Sequence, residues 1–509
     1  METLLESLYN LQIGLGVTLQ PYALLMMTVG LLLGLVIGVL PGLGGTAGVA
    51  IMLPLAFLVP RDVGIIFLAA IYWGALYGGV ITSILFAIPG EPWSVALIFD
   101  GYPMAKKGKA GLALSAAFFA SFFGSMLSCV LFTLAALPIA LFALRFGPPE
   151  MLAIMLLAFS TFVGLGGGSV WKTLISTAIG LLLTTVGMDI VTGQPRLTFG
   201  VIAFLSGFHF VPVTVGLFGL GEILINAEER VGGLKAIPAK MKLQDFKDGF
   251  MSIFQRFGVT SVGSILGFLI GACPGTGATP ASFVGYGVAK QYSKHPEKYG
   301  EGTVEGIIAP QSAAAAAGFS SILPLVTLGI PGSPTAAVLM AGLFMYGLWP
   351  GPQLFVEEPR FVWGLIASLY AANILCLLIC LLGAPVLASI MRVPWGILTP
   401  IIVVALIVGS YCMRNFVFDI WCTLAFGLLG YAMKKLKYPL APLAVALVLG
   451  GMTERELRRS LIMSDGSLSI FVTRPLTAGI LAVVALLFLL PLIKMVVGKT
   501  RAAIAGRTR

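Results

Sequence analysis

The chain has 509 residues, of which 58% are hydrophobic and only 10% charged, and its mean hydropathy is +1.01. Soluble domains carry about 25% charged residues, so a fold that faces water on all sides is excluded. The net charge of +10 fits Lys and Arg gathered in cytoplasmic loops; no dense basic tract with interleaved aromatics exists, so nucleic acid is not a partner.

Apolar runs of about 18 residues or more, the length that crosses a hydrocarbon core, recur at 22–40, 112–137, 201–220, 362–382 and 470–492. They predict an all-α polytopic membrane protein in the lipid bilayer, with roughly 11 to 13 membrane segments, some re-entrant or broken. Met1–Gln20 holds two Glu and neither Lys nor Arg, so the first span is expected to insert as part of the mature protein rather than as a secretory signal. The stretch 440–452, between two basic clusters, reads as too short for a comfortable span and is expected to be re-entrant. All six Cys lie in apolar segments without metal-ligand spacing, and the chain has two His, so no metal site is expected.

Self-similarity organises the rest. Gly34-Leu-Val-Ile-Gly-Val-Leu-Pro-Gly-Leu-Gly-Gly-Thr46 reappears as Gly267-Phe-Leu-Ile-Gly-Ala-Cys-Pro-Gly-Thr-Gly-Ala-Thr279. Ile88-Pro-Gly-Glu-Pro-Trp-Ser94 is echoed by Ile330-Pro-Gly-Ser-Pro-Thr-Ala336. Pro41 to Pro274 is an offset of 233 and Pro89 to Pro331 one of 242, so two ordered pairs at nearly one spacing point to duplication. Lys106, Lys107 and Lys109 follow the second signature of the first copy, whereas Lys290, Lys294 and Lys298 follow the first signature of the second copy. Pro60-Arg-Asp62 and the Glu357, Glu358, Arg360 stretch are poor in bases. By the positive-inside rule corresponding loops then face opposite sides, which predicts two inverted-topology repeats. The expected organisation is an N-terminal half at 1–225, a basic cytoplasmic connector at 226–256 and a C-terminal half at 257–509.

Pro removes a backbone donor and Gly permits left-handed angles, so Pro-Gly within an apolar run breaks a helix. Such breaks survive in a membrane only when buried or lining a wet cavity. There, half-helix N-termini attract carboxylates and freed carbonyls hold Na⁺. The candidate substrate and ion site is therefore Pro41, Gly42, Gly44, Gly45 and Thr46 with Pro89, Gly90 and Ser94. In the second copy it is Pro274, Gly275, Thr276, Gly277 and Thr279 with Pro331, Gly332, Ser333 and Thr335. Gly34 and Gly38, or Gly267 and Gly271, spaced by four, read instead as close-packing positions. Ionisable residues inside apolar stretches are Glu91, Asp189, Glu222, Glu305 and Asp419. Glu91 also reads as a helix cap, Asp100 and Glu150 as loop or helix-end residues, and His209 as structural. With no Walker A, nucleophile elbow, HExxH or paired CxxC, the chain is not expected to be an enzyme, nor to use ATP.

At Gly38–Thr46, Ile88-Pro-Gly90, Asp100-Gly-Tyr-Pro-Met-Ala-Lys106, Gly187-Met-Asp-Ile-Val-Thr-Gly193, Gly216-Leu-Phe-Gly-Leu-Gly-Glu222, Ser293-Lys-His-Pro-Glu-Lys298 and Leu328-Gly-Ile-Pro-Gly-Ser333 the chain resembles the large membrane subunit of the tripartite tricarboxylate transporter family. The resemblance implies a secondary transporter of the bacterial inner membrane. It implies a small membrane subunit and a periplasmic solute-binding protein as partners, a small carboxylate as cargo, and a Na⁺ or H⁺ gradient as the drive. A stand-alone carrier and a non-transporting scaffold are the alternatives. The chain departs from the family's usual Ala-Pro-Glu-Ala-Ala-Asn-Asn-Ala at Ala309-Pro-Gln-Ser-Ala-Ala-Ala-Ala316: Gln311 replaces a carboxylate, and Ala314 and Ala315 replace two amides.

Overall fold

Proline and glycine punctuate the apolar runs into helices whose ends can be read from the sequence. A computed structural model describes residues 2–40, 44–165, 169–189, 193–229, 241–390, 395–412 and 414–487. In chain order come α1 (Glu2–Thr18), α2 (Pro21–Val39), α3 (Gly44–Ala56), α4 (Arg61–Phe86), a single 3₁₀ turn Pro92–Ser94, α5 (Val95–Met104), α6 (Ala110–Ala143), α7 (Pro148–Leu165) and α8 (Val170–Thr184). A two-residue hairpin, β1 (Gly187–Met188) with β2 (Pro195–Arg196), precedes α9 (Phe210–Thr214) and α10 (Gly221–Glu229), which a π-helical stretch Val215–Leu220 joins. After α11 (Leu243–Gln255), within the connector, the second copy begins with α12 (Phe257–Ala272), followed by α13 (Ala278–Tyr292), α14 (Glu305–Ser320), α15 (Leu323–Leu328), α16 (Pro334–Met345), α17 (Leu354–Glu357) and α18 (Pro359–Ile390). The chain continues through α19 (Trp395–Cys412), α20 (Val417–Lys435), α21 (Leu440–Met463) and α22 (Ile470–Thr473).

The fold is all-α and polytopic. Among the described residues, six helices are long and apolar enough to cross a membrane, with six shorter apolar helices of 10–17 residues beside them. The pair α11 and α12 passes the same test together and bends by 77°. Four expected elements differ. The run at 201–220 is not one span, because Gly200 and Gly207 take φ of +77° and +67° and the helix begins only at Phe210. The run at 470–492 is interrupted at Arg474, where Pro475 cannot continue the preceding hydrogen bonds. The stretch 440–452 is the first half of the 24-residue α21 rather than a re-entrant piece. Asp100 lies inside α5 rather than in a loop, and the turn falls at the lysines, where Gly108 has φ +77°.

Packing divides the chain into two compact units, 1–144 with 211–435, and 145–210 with 436–509. This is a division by contact and a separate matter from the sequence halves. In the second unit, α21 packs on α7 and α8, and Asp189 pairs with Arg458 at 2.9 Å and Arg196 at 3.3 Å. Glu150 there accepts from Thr477 at 2.8 Å and pairs with Arg474 at 3.0 Å.

In the first unit, the two copies build the same motif. α2 packs along α4, and α12 along α14. A side chain at Gly34 or Gly38 would collide with the carbonyls of Ile71 or Ala75, and one at Gly267 or Gly271 with those of Ala313 or Ala317. These glycines therefore let backbones touch across a helix pair, the close-packing role expected of them. α4 and α14 are enclosed on every side, and Trp73 stacks on Phe319 across them with centroids 3.9 Å apart. α4, and the short α15 that follows α14, each end in a left-handed residue, Ala87 at φ +57° and Gly329 at φ +73°, immediately before the Ile-Pro-Gly signature.

The loops pair crosswise. Arg61, after the first break of copy one, meets Glu358, after the second signature of copy two. On the other arm, Lys107 donates to the Glu301 carbonyl at 2.6 Å. Asp100 accepts the backbone N–H groups of Gly300, Gly302 and Thr303 and the Tyr286 hydroxyl at 2.8–3.1 Å.

Candidate functional site

Each copy contributes a broken helix, and the break exposes the N-terminus of the helix that follows. Pro41 and Gly42 lie outside the described residues. Gly44 opens α3 at φ +58°, and its counterpart Gly277 precedes α13 at φ +65°. Only glycine adopts these angles at small cost. Each faces the residue after the Pro-Gly of its own copy's second signature: a Cβ at Gly44 would stand 2.7 Å from Glu91 Cγ, and one at Gly277 3.2 Å from Ser333 Cβ. Gly90 and Gly332 are likewise equivalent, each pressed against the carbonyl of Gly38 or Gly271. The Gly277 N–H donates to the Gly332 carbonyl at 3.1 Å, tying break to signature.

Side chains then join the copies. Thr46 Oγ1 and Thr335 Oγ1 are 2.8 Å apart. Ser333 caps α16 by accepting from Ala336 N–H at 3.0 Å, and its hydroxyl meets Ser321 at 3.1 Å. The buried Tyr72 hydroxyl of α4 lies beside Ser321, Ser333 and Thr335. Five hydroxyls thus converge where α3, α4 and α16 meet. Ser94 is spent locally, donating to Glu91 O at 2.8 Å. Thr276 turns back onto the carbonyls of Ile270 and Cys273, finishing α12 rather than joining the hydroxyl cluster. Thr279, in the first turn of α13, makes no side-chain hydrogen bond among the described residues. Pro89, Pro274, Gly275 and Pro331 shape the breaks through the backbone.

Glu91 is the group whose surroundings were least visible in sequence. Its Oε1 accepts the Gly45 N–H at the start of α3, and its Oε2 accepts the Trp93 indole N–H at 3.2 Å. The carboxylate therefore caps the helix of the first signature rather than its own. The other acids in apolar stretches are each paired with a cation: Glu222 with Lys434, Glu305 with Arg256, Asp419 with Arg414 and Asp189 as above. Gln311 lies away from this chemistry, donating from Nε2 to Ser121 Oγ of α6 at 2.6 Å, and Ala314 and Ala315 are buried in packing. Tyr72 and Ser321 were missed, since a Tyr or Ser in an apolar helix carries no spacing signal.

The architecture is that of an all-α, multi-pass membrane protein with paired helix breaks. Residues 24–445 match the model of the "Tripartite tricarboxylate transporter TctA family", and the chain belongs to that family. It is 39% identical over 480 residues, 94% of this chain and 95% of the other, to an "Uncharacterized 52.8 kDa protein in TAR-I ttuC' 3'region" of Agrobacterium vitis. A second Agrobacterium vitis protein, "Uncharacterized protein in TAR-II ttuC' 3'region", is 37% identical over 231 residues, 45% of this chain and 96% of that one. No solved structure matches the chain.

Proposed function

We propose that the chain is the translocating large subunit of a binding-protein-dependent secondary transporter of the bacterial inner membrane. It imports a small carboxylate, driven by an ion gradient, together with a small membrane subunit and a periplasmic solute-binding protein. The observation that carries this reading is the convergence of the breaks: Thr46 of one copy bonds Thr335 of the other, beside the buried starts of α3 and α13. A scaffold has no use for broken helices, whose freed backbone groups cost several kcal/mol each when left in lipid. The crosswise loop contacts support an inverted arrangement, because they put non-corresponding loops of the two copies together.

Uptake of labelled succinate, malate and citrate into vesicles tests it. Uptake should require the cognate binding protein and an imposed Na⁺ or pH gradient, and persist without ATP. Gly44→Val and Gly277→Val should reach the membrane normally yet abolish uptake, since a β-branched residue resists the left-handed angle and fills the break. Full-rate uptake by this chain alone favours a stand-alone carrier. Normal uptake by both Val variants moves the site elsewhere.

A further inference from the structure

This inference rests on the reading that carboxylate cargo is held at the paired breaks. Four of the five acids in apolar stretches have a cationic partner, and Glu91 has none among the described residues. In a membrane protein, a carboxylate within an apolar stretch and without a counter-ion is costly and marks function more often than structure. What holds the charge is the Gly45 N–H, the Trp93 N–H and the positive end of the 13-residue α3. That is the place a cargo carboxylate would take. The second copy differs here: Ser333 stands where Glu91 stands, and Thr335 and Ala336 where Trp93 and Ser94 stand, leaving the start of α13 uncharged, with the Thr279 hydroxyl open.

Two carboxylates cannot share one helix end. At about 4 Å and an effective dielectric near 20 their repulsion is of the order of 4 kcal/mol. We propose that Glu91 couples cargo entry to proton entry: with the site empty its carboxylate holds the N-terminus of α3, and cargo takes that place as Glu91 accepts a proton. The O–H bond forms on a Glu91 carboxyl oxygen with a proton from the side of entry. It breaks when cargo leaves and Glu91 returns to Gly45, releasing the proton on the far side. One proton moves with each cargo carboxylate that displaces it. Both Glu91 oxygens face N–H donors, which suit the ionised carboxylate of the empty site and repel a metal cation.

The other titratable groups on neighbouring elements do not take this role. α3 and α16 carry none. α4 presents Tyr72, buried beside the hydroxyl cluster, and Tyr77, bonded to Asn373; Arg61 and Asp62 open its distant end. On α5, Asp100 is held by backbone N–H groups and by Tyr286 of α13, and Tyr102 lies under Lys106. Lys290 and Tyr292 end α13, away from the break.

The experiment reconstitutes the chain with its two partner subunits in vesicles and follows labelled succinate, malate and citrate. Three conditions are compared: a pH gradient, a Na⁺ gradient, and label exchange without a gradient. A gradient of about one pH unit supports roughly tenfold accumulation at one proton per cargo. The wild type should accumulate label under the pH gradient, and Glu91→Asp should follow it. Glu91→Gln should lose accumulation, settling at equal concentrations inside and out, while still exchanging label. Accumulation by Glu91→Gln under the pH gradient overturns the proposal, as does a wild type driven by Na⁺ and indifferent to pH. So does loss of exchange as well as accumulation in Glu91→Gln at normal membrane abundance, which makes Glu91 structural. A wild type that moves none of the three under either gradient overturns the transport reading itself, and this proposal with it.

Discussion

Arg61 and Glu358 stand 297 positions apart and meet in an ion pair of 2.7 Å. The contact joins the loop after the first break of one copy to the loop after the second signature of the other. Lys107 and Glu301 make the complementary junction. If the copies are inverted, these junctions lie on opposite faces of the membrane. Single cysteines at positions 61 and 357 should then react only with external reagent and those at 107 and 294 only with cytoplasmic reagent, after the exposed Cys273 is replaced. Labelling of 107 and 294 from opposite faces rules the inversion out.

The glycine seams give a stability prediction with an internal control. Gly34→Ala and Gly267→Ala drive a methyl into a carbonyl oxygen, and overpacking of this kind costs about 1–3 kcal/mol. Gly287→Ala, on α13 with nothing within 4 Å of its added methyl, should be neutral or gain up to about 1 kcal/mol from helix propensity. Thermal unfolding in detergent reads the difference.

Thr46 and Thr335 should behave as a unit. Thr46→Val or Thr335→Val removes one partner of a 2.8 Å hydrogen bond at nearly constant volume, weakening cargo affinity by about 1 kcal/mol. The double variant should cost less than the sum of the singles, because the second substitution has no bond left to break. Strict additivity in uptake measurements means that the two hydroxyls contribute separately.

Asp100 should act as a clasp between the copies. Its carboxylate accepts three backbone N–H groups and the Tyr286 hydroxyl, and hydrogen bonds to a charged group contribute about 1.5–3 kcal/mol. Asp100→Asn keeps the shape but offers one acceptor oxygen in place of two. Limited proteolysis should cut the 299–303 loop faster in this variant. An unchanged cleavage rate shows that the loop is held by other contacts.

Much of the scaffold was legible because Pro and Gly act locally. The paired signatures announced the breaks, and the positive φ of Gly44 and Gly277 is the backbone freedom for which glycine was singled out. The seam glycines were read correctly from their spacing alone. What sequence could not convey is direction. Nothing marks Thr276 as turned back onto α12 while Thr46 faces Thr335, nor Glu91 as reaching α3 instead of its own turn. Those choices depend on where a different segment lies. Val201–Leu220 misled for the opposite reason, since hydropathy averages over Gly207, where one backbone angle ends the helix.

The glycine seams also constrain motion. Where α2 lies on α4, and α12 on α14, the backbones interlock so closely that neither helix can slide or roll without carbonyl striking Cα. Each pair must travel as one piece. The junction of α3 with α16 carries instead a bond between two threonine hydroxyls, which can be exchanged for water at little cost. That bond is unlike the other contacts between the copies, where Gly124 of α6 lies against the Ser312 carbonyl of α14 and Asp100 clasps the backbone at 300–303, so α3 and α16 can part locally while the copies stay joined there.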